Sequence, residues 1–313
     1  MNDYLKEIIK VNIGELLPYF NDDSTEDILV NPDGMVWVNQ KGKGEYCTDI
    51  YLKPSQRLDF ISIIADEVHK NISAKEPVLT AVLPEWGYRI EAHIPPSVEE
   101  AAFAIRIGGK VTMSLDDYVA ADIMTAEDCK VIRTAITEKK NILVAGGTGS
   151  GKTTLTNAIL NEFAGSSERF VILEDTRELR CPAKNKYNLC SSEHTTLQEL
   201  FESTLRLFPN RIVIGEIRKG PIAYDFLNAS ISGHPGCITT LHADGPLDAL
   251  LRLQLMLLQV FKQPQPEFIA RAVDMVIFIE RVGLSRKVSS IGICKGHHYD
   301  ANNNSIYEVD YYK

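Results

Sequence analysis

The sequence has no Cys-x-x-Cys pair, no excess of positive charge, and no apolar run near the ~20 residues needed to span a bilayer. Each absence excludes a class of protein. The six cysteines, Cys47, Cys129, Cys181, Cys190, Cys237 and Cys294, are scattered with no histidine at metal spacing. They read as reduced thiols, not as a zinc site or a disulfide framework. A formal net charge of -9 over 313 residues argues against binding DNA or RNA by bulk electrostatics, because that mode needs clustered Lys and Arg to displace counterions. The first residues carry acidic side chains and no apolar core, so no secretory signal is expected. The chain reads as cytoplasmic, with any membrane association peripheral.

What is present is ordinary for a folded chain: 44% hydrophobic and 24% charged residues, with 20 Gly and 14 Pro. The length suits two hydrophobic cores better than one. Residues 1–107 read as a smaller α+β domain. The turn signal Asn31-Pro32-Asp33-Gly34 sits between Ile28-Leu29-Val30 and Val36-Trp37-Val38, which predicts a hairpin. Leu58, Ile61, Ile64, Ala65 and Val68 fall at three- and four-residue spacing and predict a helix over about 56–71 with those residues on its core face. Strands are expected around 78–83, 88–93 and 102–107, in an antiparallel sheet. Gly108-Gly109-Lys110 opens a linker over 108–112.

From 113 to 313 the pattern changes to short, nearly unbroken apolar strands alternating with helices, which predicts an α/β domain with a mostly parallel sheet covered on both faces. Strands are expected at 142–144, 170–173, 212–214, 237–240 and 275–279. Thr125 with Asp128, and Thr196 with Glu199, mark helix starts. Pro246 begins a helix in which Leu247, Leu250, Leu251, Leu255 and Leu258 are read as facing a core. Asn302-Asn303-Asn304 reads as a turn.

The most specific signal is Gly146-Gly147-Thr148-Gly149-Ser150-Gly151-Lys152-Thr153-Thr154, which fits Gly-x-x-x-x-Gly-Lys-[Ser/Thr] at every fixed position. It lies between an expected strand and an expected helix, the context the motif requires. Its glycines let backbone N–H groups point at phosphate oxygens, and the helix N-terminus adds a favourable field. Lys152 would reach the β and γ phosphates, and Thr153 would ligate Mg²⁺. Four fixed positions match by accident in about one chain in a hundred of this length, and the flanking elements lower that further.

Hydrolysis needs a metal, a carboxylate to orient water, and a cation to balance the transferring phosphoryl group. Leu173-Glu174-Asp175-Thr176-Arg177-Glu178-Leu179 and Ile212-Val213-Ile214-Gly215-Glu216-Ile217-Arg218 each place a carboxylate just past a strand, on the edge where open parallel sheets bind ligands. A third segment, Gly233-His234-Pro235-Gly236-Cys237-Ile238-Thr239-Thr240-Leu241-His242-Ala243, carries two histidines whose spacing suggests no metal.

In order and content these segments resemble the Walker A loop, Asp box, Walker B strand ending in Gly-Glu, and His box of the secretion-superfamily ATPases. Within that group the chain is similar to the conjugal-transfer ATPases of the Trb type. The similarity runs through Asn31 to Gly34, Pro95-Pro96, Phe103-Ala104-Ile105-Arg106, Leu115-Asp116-Asp117-Tyr118 and Asn141-Ile142-Leu143-Val144. The resemblance implies a PAS-like N-terminal domain joined to a RecA-like P-loop ATPase domain, with ATP and Mg²⁺ held between the two domains. It implies a homo-oligomeric, hexameric ring working with inner-membrane secretion or conjugation proteins on the cytoplasmic face.

By similarity Glu216 is the Walker B carboxylate and Glu174 acts on Mg²⁺ or on water; which of them activates water stays open. Arg206 and Arg218 would compensate phosphate charge, Arg89 and Arg106 would approach the nucleotide from the first domain, and His242 would sense the γ-phosphate. Where relatives usually carry Arg-Pro-Asp-Arg, this chain has Phe208-Pro209-Asn210-Arg211, so no arginine role can fall at position 208. The tail after Ile279 matches little in the family.

Two other classes compete with a secretion motor. A nucleic-acid motor would need a basic, aromatic-lined groove, and the sequence offers only small basic clusters such as Lys139-Lys140 and Arg286-Lys287. A nucleotide-dependent recruitment switch would have no chemical need for both Glu174 and Glu216. A small-molecule kinase shares the P-loop, but no acceptor-site motif is present. Cargo, whether DNA, protein or pilin, is not legible.

Overall fold

The structure is a computed structural model that describes residues 10–83, 86–107, 113–192, 194–300 and 305–312. The linker expected at 108–112 and the turn expected at 302–304 lie outside the described residues. The chain divides into two compact units, Met1–Val111 and Thr112–Lys313. Together they make an α/β protein with one antiparallel and one mixed sheet.

The first unit includes a 3-10 turn, Gly14–Leu16, and a short helix α1, Leu17–Asn21. Strands β1 (Thr25–Val30), β2 (Met35–Gln40) and β3 (Gly44–Tyr51) follow, then helix α2 (Pro54–Glu67). Strands β4 (Val78–Val82), β5 (Arg89–His93) and β6 (Ala102–Arg106) complete a sheet of order β3-β2-β1-β6-β5-β4. Every neighbouring pair is antiparallel.

The expected hairpin is β1–β2. Its turn is closed by the Gly34 N–H donating to Asn31 O at 2.9 Å and the Met35 N–H donating to Asp33 Oδ1 at 2.9 Å. Gly34 has φ 87°, and a Cβ there would stand 2.6 Å from Leu52 O, so both conformation and space demand glycine.

On α2, Phe60, Ile61, Ile64 and Ala65 are buried in the unit's core, but Leu58, read from the sequence as a core residue, is exposed. The position before it is the buried one. Arg57 lies inside and donates through Nη1 to the carbonyls of Asn31, Pro32 and Ala101, fastening the helix to the hairpin turn. A charged residue is invisible to an apolar-spacing rule, and here it takes the place of one.

The second unit opens with α3 (Leu115–Ala120) and α4 (Ala126–Thr137), then β7 (Ile142–Ala145), α5 (Lys152–Asn161), β8 (Phe170–Glu174) and β9 (Lys186–Cys190). Helix α6 (Leu197–Thr204) runs into a 3-10 turn, Leu205–Leu207. Next come β10 (Arg211–Ile214), α7 (Gly220–Ile231), β11 (Ile238–Leu241), α8 (Pro246–Leu257) and α9 (Pro266–Ala272). Strands β12 (Met275–Val282), β13 (Ser285–Tyr299) and β14 (Ser305–Tyr312) close the chain.

The strand order is β14-β13-β12-β7-β11-β10-β8-β9. Pairing is parallel from β12 through β9, and β13 and β14 add antiparallel at one edge. Strand alternation sends Ile142 and Val144 into the core beneath α4 and α5, and Leu143 and Ala145 into the core beneath α7, α8 and α9. A strand buried on both faces must be apolar at every position, as Ile-Leu-Val-Ala is.

Capping boxes hold α4 and α6 where the sequence places them. The Asp128 N–H donates to Thr125 Oγ1 at 3.0 Å and the Thr125 N–H to Asp128 Oδ2 at 2.9 Å; Thr196 and Glu199 repeat the exchange.

Helix α8 corrects the sequence reading. Leu250 is buried together with Ala249, Leu253, Met256 and Leu257, whereas Leu247, Leu251, Leu255 and Leu258 face outward, Leu255 at 65% exposure. All six described cysteines are free thiols. No helix among the described residues is long and apolar enough to cross a bilayer.

Candidate active site

Strand β7 carries the chain to the sheet edge at Ala145, and the phosphate-loop residues 146–151 turn from there into the N-terminus of α5. The turn needs Gly149 at φ 69° and Gly151 at φ 97°, both left-handed. Gly146 is required for a different reason: a Cβ there would lie 2.2 Å from Ile279 O of β12 and 2.5 Å from Ser150 Oγ. At Gly147 and Gly149 an added Cβ would meet nothing within 4 Å, so these positions line open space.

Lys152, only 8% exposed, folds back over the loop and donates to Gly146 O at 2.9 Å and Gly147 O at 2.8 Å. Its ammonium also lies 3.3 Å from His242 Nδ1. An ammonium has only donors to offer, so Nδ1 is the acceptor and the imidazole proton sits on Nε2. That Nε2 is 2.8 Å from Glu216 Oε1. Burial, and next the Lys152 charge, hold the His242 pKa below the usual imidazole value. With Nδ1 accepting from Lys152, the link to Glu216 Oε1 is a hydrogen bond donated by Nε2–H.

Glu216 follows β10 past Gly215, at the same sheet edge. Its second oxygen, Oε2, takes Nε and Nη2 of Arg218, each at 2.5 Å. Arg218 Nη1 lies 3.7 Å from Asp175 Oδ2, and Asp175 Oδ1 accepts from Ser191 Oγ at 2.9 Å. A continuous polar chain thus runs Lys152, His242, Glu216, Arg218, Asp175 across the ends of β7, β11, β10 and β8. Thr240 braces it from below by donating to Gly215 O at 2.7 Å.

Glu174, the last residue of β8, is 3% exposed. Its Oε1 accepts the N–H groups of Glu178 and Leu179 at 2.8 and 2.7 Å. Burial pushes its carboxyl up to about 7, against those two donors, which pull the other way. The same loop is held from the other side by Asn157 of α5, which donates to Glu178 O at 3.0 Å and accepts from the Arg180 N–H at 2.7 Å. Sequence reading missed Asn157. The available signal was one amide set among Leu155, Ala158 and Ile159 on a helix that follows a phosphate loop.

The structure therefore brings Lys152, Glu174, Glu216, Arg218 and His242 to one sheet edge, with Thr153 and Thr154 in the first turn of α5. Arg206 is not among them. It is exposed in the turn that precedes β10, so it lies at the opposite end of that strand from Glu216. Arg89 and Arg106 belong to the first unit, where they are directly opposed across β5 and β6. His234 stays outside the polar chain, its carbonyl accepting from Cys237 Sγ.

The loop fits a polyphosphate on its own terms. Ser150 Oγ is buried and finds no protein partner, the glycines leave room at 147 and 149, and the ammonium is already aimed at loop oxygens.

The family model for type II/IV secretion system proteins matches residues 63–306. The chain belongs to that family. Among curated relatives, the conjugal transfer protein TrbB of Rhizobium radiobacter is 37% identical over 304 residues, covering 96% of this chain and 92% of that protein. The type IV secretion system protein PtlH of Bordetella pertussis is 31% identical, covering 90% of this chain and 94% of its own length. Among solved structures, the Legionella pneumophila ATPase DotB aligns with a TM-score of 0.64 at 18% identity, over 96% of this chain and 80% of that one. The pilus retraction motor PilT with bound ADP aligns with a TM-score of 0.63 at 17% identity, over 96% and 82%. These two structural likenesses speak to the fold.

Proposed function

We propose that the chain is an ATP-hydrolysing subunit of a homo-oligomeric ring that powers type IV secretion or conjugative transfer. The observation that carries this reading is the polar chain from Lys152 through His242 to Glu216, which joins the phosphate loop to the carboxylate at the end of β10. Kinship to conjugal transfer and type IV secretion proteins over nearly the whole chain supports the cellular role. The second unit is read as RecA-like, its first strand β7 lying central and next to β11 and β12, and the first unit as PAS-like.

In this reading the loop N–H groups and Lys152 bind the β and γ phosphates, and Thr153 with Glu174 or Glu216 would hold Mg²⁺. Magnesium bound with ATP supplies charge neutralisation on the transferring phosphoryl group. Among the described residues no three His, Cys, Asp or Glu side chains converge as a self-sufficient metal site. Magnesium carried in on phosphates, with one or two protein ligands, does not need one. Glu216, held by His242 and Arg218, orients the attacking water. His242 passes the position of Lys152 to Glu216, which suits a sensor of the γ-phosphate. Arg218 balances developing charge within the chain; Arg206, on the far edge, could do so only from a neighbouring subunit. Arg89 and Arg106 would approach the nucleotide from the first unit, and docking proteins of the inner membrane would receive the ring.

The test is steady-state ATP hydrolysis with nucleotide binding and assembly state read in parallel. Lys152→Ala should lose binding and turnover, whereas Glu216→Gln should keep binding and lose turnover by about 10² or more. Binding without turnover in every assembled form of the wild type would leave a recruitment switch and remove the motor.

A further inference from the structure

Glu216 is the carboxylate assigned to the attacking water, yet as it stands it offers that water little. Oε1 is committed to His242 Nε2–H at 2.8 Å. Oε2 accepts from both Nε and Nη2 of Arg218, each at 2.5 Å, and two N–H donors fill the two lone pairs of a carboxylate oxygen. Turnover through Oε2 therefore requires that Arg218 let it go.

Among the described residues the Arg218 guanidinium reaches two carboxylates, Glu216 and Asp175. Its Nη1 stands 3.7 Å from Asp175 Oδ2, against about 2.9 Å for a charge-assisted hydrogen bond, so a second seat lies less than an ångström away. The two carboxylates differ in their surroundings. The Glu216 side chain is 14% exposed, that of Asp175 37% and that of Arg218 53%. A move from Glu216 to Asp175 is thus a move toward water, which a guanidinium makes without added desolvation cost.

Asp175 is also held in place. Ser191 Oγ donates to its Oδ1 at 2.9 Å, while Oδ2 is the oxygen nearer the arginine. Ser191 is itself tied down by its N–H, which donates to Glu174 O at 2.9 Å, and Cys190 Sγ lies 3.6 Å from Asp175 O. Cys190 ends the edge strand β9, where it pairs with Glu174 of β8. A strand of exposed, polar sequence thus finishes in a clamp on one carboxylate.

We infer that Asp175 is a positioning residue for hydrolysis: clamped by Ser191, it draws Arg218 off Glu216 Oε2 when nucleotide binds and leaves that oxygen to orient water. The trigger lies in the polar chain. Phosphates that engage Lys152 take a donor from His242 Nδ1, and the other nitrogen of that ring holds Glu216 Oε1, so the carboxylate shifts and its aligned grip on Arg218 loosens. The Asp175 seat is at the same sheet edge, so Arg218 keeps its part in balancing charge. The inference rests on the nucleotide reading above and gives Asp175 and Ser191 a part in it.

Two measurements on the full-length protein test it. The first is a crystal structure with a non-hydrolysable ATP analogue and Mg²⁺. Arg218 Nη1 should close to about 3 Å from Asp175 Oδ2, with Glu216 Oε2 released. A guanidinium still bidentate on Glu216 in the loaded site overturns the inference. The second is steady-state ATP hydrolysis, with thermal melts to verify folding. Asp175→Asn keeps an oxygen for Ser191 but loses the charge, and should lower kcat by about fivefold at unchanged KM, the scale of a half-exposed ion pair. Asp175→Glu keeps a carboxylate beside the guanidinium and should return kcat to within about twofold of wild type. An unchanged kcat in Asp175→Asn, a loss that appears in KM, or no recovery in Asp175→Glu each refutes the positioning role. A wild type that neither binds the analogue nor hydrolyses ATP removes the nucleotide reading and this inference together; one that does both with Arg218 unmoved removes the inference alone.

Discussion

Replacing Glu174 with glutamine should change how stability depends on pH, by an amount the structure sets. Burial of this carboxylate at 3% exposure raises its pKa from 4.5 to about 7. At 1.36 kcal/mol per unit the ionised form is disfavoured in the fold by about 3 kcal/mol. Between these two pH values the folded chain holds a proton that the unfolded chain has released. The group's contribution is therefore most favourable at acid pH and is lost as pH rises through that window. Glutamine keeps an oxygen for the Glu178 and Leu179 N–H groups and carries no charge, so it removes the titration and little else. Urea unfolding of wild type and Glu174→Gln at pH 5.5 and 8.5 gives the measurement, and subtracting one protein from the other cancels all other titrating groups. The stability of the wild type relative to the variant should fall by about 2 kcal/mol across that interval. A difference that stays flat, or rises with pH, would refute the claim that burial outweighs the two backbone donors. A flat result would place the carboxyl at its ordinary value and leave it ionised throughout the working range.

Asn157→Ala should cost about 1–3 kcal/mol in denaturant unfolding, because the Arg180 N–H and Glu178 O lose a buried partner. Phe208 sits at φ 54° with 85% exposure. Phe208→Gly should therefore raise the unfolding midpoint by the equivalent of about 1 kcal/mol, the left-handed strain relieved exceeding the little packing lost. On α8, Leu253→Ala should destabilise by about 2–5 kcal/mol and Leu255→Ala by less than about 0.5. Comparable losses at both positions would contradict the orientation of the helix.

The parallel core was legible because a strand buried on both faces must be apolar throughout, and Ile142 to Val144, Phe170 to Leu173 and Ile212 to Ile214 offer no other reading. Capping boxes were legible because Thr125 and Thr196 act through residues three positions away. The edge strands were not. In β9, Lys186-Tyr187-Asn188 is exposed and therefore unconstrained in polarity. The outer hairpin β13–β14, with Gly292, Gly296 and adjacent histidines, has one face turned to water and gives no clean alternation. Helix α8 failed for the opposite reason. Leucines occupy both of its faces, so two stripes at helical spacing compete, and only packing against α7 and α9 decides between them.

At the site, the loop and both carboxylates could be named from their spacing to strands. The pairing of His242 with both Lys152 and Glu216 could not, since it depends on β11 lying between β7 and β10, and strand order is not written in any local pattern.

The close approach at Gly146 separates two demands that a motif merges. Phosphate needs the backbone freedom of Gly149 and Gly151, whereas Gly146 is fixed by the carbonyl of Ile279 on the adjoining strand. A methyl group there would press β12 away from β7 before any ligand arrived. The opening glycine thus behaves as a mortar joint between two strands, and damage to it would register first as a wedge driven into the sheet.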